Sequence, residues 1–167
     1  DIAAFTTSLD CIAFMFEPRT AKEVSEHLLA RTGRALLSGD ADLFESCLTF
    51  PNVMQSFDGQ ILCETPEHFR AIFAEVMHHM RRSGVTELSR HCIAATYRDA
   101  HTVEATHECR MLQGTRVTQP AYPVFSVLKR AHGLWKISYS AYAITDAPDH
   151  SHALGSARAP FAQLAHG

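Results

Sequence analysis

The spacing of apolar residues changes once along this chain, and the change divides it in two. Up to Gly84 the apolar positions recur at helical intervals, interrupted by one short hairpin. From Thr86 the period is two, over strands read at about 87–97, 102–113, 122–131 and 134–144. Helices first and long antiparallel strands after is the order of an α+β domain, with helices covering one face of a sheet.

The first half carries clear punctuation. Thr20 and Glu23 form a Thr-x-x-Glu capping box, so a helix opens at Thr20. Val24, Leu28, Ala35 and Leu36 share its apolar face, while Arg31 and Thr32 interrupt that stripe. Gly39 is placed to end the helix and Asp40 to cap a short second one over about 41–48. Pro51–Phe57 reads as a strand, Asp58-Gly59 as its hairpin turn and Ile61–Cys63 as the return. Thr65-Pro66 starts the next helix. Its stripe is Phe69, Ile72, Phe73, Val76, Met77 and Met80, and Gly84 stops it.

Composition narrows the function. The formal charge is -3, from 15 basic and 18 acidic residues, with no basic face of the kind a nucleic-acid partner requires. No apolar run approaches the ~20 residues that span a bilayer, so a membrane role is not expected. The first basic residue is Arg19, and the five cysteines form no CxxC, which predicts a reducing, cytoplasmic setting without disulfides or a zinc knuckle. Neither GxGxxG nor a Walker A loop occurs, so no cofactor is predicted. Three segments are expected: a docked N-terminal segment at 1–19, the domain at 20–145 and a C-terminal tail at 146–167.

Four segments in this order and spacing resemble the NTF2-like superfamily, specifically its SnoaL-like branch. They are Leu37-Ser38-Gly39-Asp40-Ala41-Asp42-Leu43, Phe57-Asp58-Gly59, Ser89-Arg90-His91-Cys92-Ile93, and Gly133-Leu134-Trp135-Lys136-Ile137. The resemblance implies a cone: a strongly curved, mostly antiparallel sheet wrapped around a long helix, with additional N-terminal helices. It also implies an apolar cavity that takes a small-molecule ligand, and a homodimer through the sheet. It does not fix the activity, because that superfamily holds enzymes and non-catalytic binders alike. His91 aligns with a catalytic histidine of the scytalone dehydratases, but their second histidine falls at Gln113 and their helix carboxylate near Leu37. The steroid-isomerase positions fall near Thr32, Ser56 and Pro123–Phe125, none of which offers the same chemistry.

Strand alternation selects the cavity side chains. On the second long strand Val103, Ala105, His107, Cys109 and Met111 face inward. Pairing Tyr97 with Val103 sets Ala95 against Ala105, Ile93 against His107 and His91 against Cys109. The alternative register would bury Arg90. On the last strand Trp135, Ile137, Tyr139, Ala141 and Ala143 form the apolar face. His91 and His107 are then diagonal neighbours, and imidazoles suit proton transfer. The candidate catalytic groups are His91, assisted by His107 and Tyr139, in a lyase or isomerase reaction. The equally admissible reading makes each histidine a satisfied core residue and the protein a non-catalytic binding or dimerisation module. The candidate ligand-binding residues are Phe57, Phe73, Met77, Ile93, Tyr97, Cys109, Met111, Gln113 and Trp135. His91, His107 and Cys109 do not form a recognised metal signature, and no metal site is predicted. His78-His79 reads as a solvated face, and Asp149-His150-Ser151-His152 as tail.

Overall fold

Thr20 caps the first helix as its sequence requires. Its hydroxyl accepts from the Glu23 N–H at 3.1 Å, and the Glu23 carboxylate accepts from the Thr20 N–H at 2.8 Å. A computed structural model describes residues 20–143. The N-terminal segment at 1–19 and most of the expected tail lie outside the described residues. Helix α1 (Ala21–Ser38) ends at Gly39, whose φ of 71° is the left-handed C-cap that glycine adopts readily. Asp40 caps α2 (Ala41–Ser46), its carboxylate accepting from the Leu43 N–H at 2.9 Å.

Strand β1 (Leu48–Ser56) starts three residues before the sequence reading placed it, and it hairpins into β2 (Gly59–Cys63) through Phe57 and Asp58. The early boundary was hidden by Pro51, which has no N–H for the ladder. Pairing with the neighbouring strand is irregular between Leu48 and Val53, around that proline. Thr65 caps α3 (Pro66–Arg82), which buries Phe69, Ile72, Phe73, Met77 and Met80. His79 is buried with them, whereas His78 is exposed, so the pair is not one solvated face. No described helix is long and apolar enough to cross a membrane.

The second half is a meander of β3 (Glu87–Asp99), β4 (Thr102–Gln113), β5 (Arg116–Ala131) and β6 (Leu134–Tyr142). Strand β5 begins six residues earlier than expected. Its start contains Pro120, which sits where Arg110 faces a widened stretch between the Met111–Gln119 and Cys109–Tyr122 pairs. The six strands form one curved sheet in the order β2-β1-β6-β5-β4-β3, antiparallel except for β1 beside β6. α1 and α3 cover one face, and the core between them and the sheet includes Val24, Leu28, Ile72, Phe73, Val103 and Leu128.

Candidate ligand cavity

Two β-bulges decide what the sheet presents to its inner face. Tyr97 pairs with Val103 and Ala95 with Ala105, as the alternation predicts. Ile93 then has no partner: Ala94 pairs with Thr106 and Cys92 with His107. The extra residue reverses the parity of everything before it on β3. The expected pairs Ile93–His107 and His91–Cys109 are therefore corrected. His91 faces Glu108 on the outer side and is exposed, Ile93 is exposed, and Arg90 pairs with Cys109 on the inner side. The second bulge is at Ser138, between the Leu128–Ile137 and Val127–Tyr139 pairs. Beyond it Ser140 and Tyr142 face inward, and Tyr139 and Ala141 face outward.

The first bulge is held by α1. The Glu26 carboxylate accepts from the Cys92 N–H at 2.7 Å. Two turns along the same helix, the Thr32 hydroxyl accepts from Arg90 Nη1 at 2.8 Å, and the Leu29 carbonyl accepts from the same nitrogen at 3.4 Å. The Thr32 side chain, fully buried, in turn donates to the Leu28 carbonyl at 2.8 Å.

With these parities the helices and the inner sheet face enclose a cavity of about 100 Å³. The inner sheet face that backs it is ordered in rows across the strands. Arg90, Cys109 and Tyr122 make one row. Cys92, His107, Val124 and Tyr142 make the next. Ala95, Ala105, Ser126 and Ser140 follow, then Val103, Leu128 and Ile137. Leu88 and Met111 make a further apolar row beyond Arg90, so the polar groups form a band with apolar rows on both sides. Phe69, Ile72, Phe73 and Met80 of α3 complete the apolar wall. No aspartate or glutamate is among the described residues that line it.

That polar band is neutral except at Arg90. Burial, aided by the Arg90 and His91 charges, pushes His107 down to about 3, so its imidazole is uncharged at neutral pH. Burial also raises the Cys109 thiol and carries the Tyr122 hydroxyl well above its ordinary value, and these two side chains share a hydrogen bond. Tyr142 is raised by the same cause. Asn52, on β1, lines the cavity while almost fully buried. Its Nδ2 donates to the Ile137 carbonyl at 2.7 Å, and its Oδ1 has no protein donor.

Of the residues singled out from sequence, Phe73, His107, Cys109 and Met111 line this cavity. Met77 is buried in the core beside it but does not line it. Tyr97 and Trp135 meet edge-on, 6.0 Å between ring centres, away from its lining. Gln113 is exposed at the end of β4, close enough to Gly84 that a Cβ there would lie 2.6 Å from its Nε2. Tyr139 is on the outer face, where its hydroxyl donates to Gln55 Oε1 at 2.6 Å and its ring meets Phe125 at 6.2 Å. Phe57, 67% exposed, lines the same shallow outer groove. Because His91 lies on the opposite face from His107 and Cys109, those three do not converge on one ion. Arg90, Asn52, Tyr122 and Tyr142 were missed. The signal for Arg90 was Thr32, a polar residue on the apolar face of α1 that needed a partner in the interior.

No protein-family model and no curated protein matches the sequence. Solved structures do match. An NTF2-like protein with a cystatin-like fold from Novosphingobium aromaticivorans superposes with a TM-score of 0.60 at 16% identity, over 89% of this chain and 97% of the other. The chain has the NTF2-like fold. A domain with a cystatin-like fold from Nostoc punctiforme gives the same TM-score, 0.60, at 12% identity over 83% of this chain and 86% of its own. A ketosteroid isomerase-like protein from Erwinia carotovora gives 0.57 at 13% identity, over 73% and 94%. At these identities the likeness is one of NTF2-like architecture, and function has to be argued from the cavity.

Proposed function

We propose that this NTF2-like chain binds a small, largely apolar molecule in its inner cavity. The observation that carries the reading is the lining: an apolar body of α3 side chains with Leu88, Met111, Leu128 and Ile137, and a few polar groups set among them. This is the usual make-up of a small-molecule site, in which apolar area supplies affinity and a few polar groups fix orientation. The names of ketosteroid isomerase-like neighbours raise isomerisation as an activity. Proton abstraction of that kind needs a base near neutral pH. No carboxylate lines the cavity among the described residues, and His107 titrates far too low to serve. Binding is therefore favoured over histidine-mediated turnover. A homodimer through the sheet belongs to the same proposal, supported by the outward grouping of Phe57, Phe125 and Tyr139.

Titration of ¹⁵N-labelled protein with 1-hexanol, a neutral apolar probe, tests the reading. Saturable shifts of the amides of Ala105–Cys109 and Tyr122–Ser126 are expected. Shifts confined to outer-face residues, or none, would overturn it.

A further inference from the structure

Arg90 brings a permanent positive charge to the cavity wall without an opposing charge. A guanidinium stays protonated throughout the working pH range. Its half-buried position makes an unpaired charge unfavourable. Its hydrogen bonds go to two neutral oxygens, the Thr32 hydroxyl and the Leu29 carbonyl, and both come from Nη1. Among the described residues Nη2 and Nε donate to no protein group. Arg70, Arg98 and Arg110 are held in ion pairs elsewhere. Glu26, the carboxylate that α1 brings to β3, is held on the Cys92 N–H and makes no ion pair with Arg90.

The neighbours of Arg90 on the wall are groups that stay neutral: Cys109 and Tyr122 in its own row, His107 and Tyr142 in the next. The cavity thus carries one net positive charge, at Arg90, on a lining that is otherwise neutral and largely apolar. The bulge at Ile93, pinned by Glu26, turns this charge inward, and Thr32 anchors it there. Nη2 and Nε form a planar fork that fits the two oxygens of a carboxylate side by side.

We infer that the ligand is a singly charged apolar acid, its carboxylate seated against Arg90 and its hydrocarbon body lying along Leu128 and Ile137. This rests on the cavity-binding reading above and adds the ligand's chemical class. A dianion such as a phosphate monoester is disfavoured, because one guanidinium would leave its second charge uncompensated in an apolar surround.

The test compares hexanoate with 1-hexanol, equal in chain length and different in charge, by NMR titration of the wild-type chain at neutral pH. Charge-assisted hydrogen bonds predict that hexanoate binds at least about tenfold more tightly. Arg90→Gln should erase the preference, whereas Arg90→Lys should keep part of it. Equal affinity for the two probes, or tighter binding of the alcohol, overturns the inference and leaves the cavity reading intact. Failure of both probes to bind overturns the two together. If Arg90→Gln does not fold, the wild-type comparison and Arg90→Lys still decide the matter.

Discussion

His107 shows how burial changes what a side chain can do. An imidazole near its ordinary value would be a natural proton shuttle. Here desolvation, with the Arg90 charge beside it, holds His107 neutral down to about 3. The consequence for stability has a definite sign. Between the ordinary value of 6.5 and about 3, the unfolded chain takes up a proton that the folded chain refuses. Stability from this residue is thus unaffected above pH 6.5 and falls as pH drops through that window, by on the order of 5 kcal/mol in all. Histidine NMR should show one imidazole that does not titrate between pH 7 and 4. His107→Leu should move the acid-unfolding midpoint to lower pH; a ring titrating near 6.5 would contradict the assignment. Arg90 teaches a complementary lesson. A buried guanidinium is costly, which argues against Arg90 in the interior, and Thr32 is a polar break in an apolar stripe. Each exception is the other's partner.

The elements themselves were largely legible, because caps and turns are local chemistry. Thr20, Gly39, Asp40 and Thr65 bound their helices as their side chains and φ preferences dictate. The inward set on β4 followed directly from alternation. What alternation could not reveal was a change of phase. Single unpaired residues at Ile93 and Ser138 reverse the facing of Arg90, His91, Tyr139 and Tyr142, and neither carries a glycine or proline to announce it. The bulge on β3 depends on a contact from a distant helix, Glu26 to the Cys92 N–H, which no local pattern contains. Removing that acceptor should expose the dependence. Glu26→Ala is expected to lower stability by about 1–3 kcal/mol in denaturant titration, the usual cost of orphaning a part-buried donor. Glu26→Gln, which retains an oxygen, should lose less. An unchanged midpoint for Glu26→Ala would show that the bulge holds without the helix.

Over the whole chain, the order of helices and strands was enough to indicate an α+β domain with helices on one sheet face, and the solved NTF2-like structures agree. The site was less legible than the fold because it is assembled from five strands and three helices. Its composition depends on register across all of them. The sheet sorts its inner side chains into rows, a polar band around Arg90, Tyr122 and His107 with apolar rows to either side, and the helices close that face into a cavity. The proposal that the chain holds an amphipathic small molecule rests on that one charge in a largely apolar interior. The direct examination is native mass spectrometry of the purified protein, followed by denaturing extraction of whatever it carries. A small apolar acid released in stoichiometric amount is the predicted result. A chain that carries nothing, and that takes up neither hexanoate nor 1-hexanol when they are supplied, would contradict it.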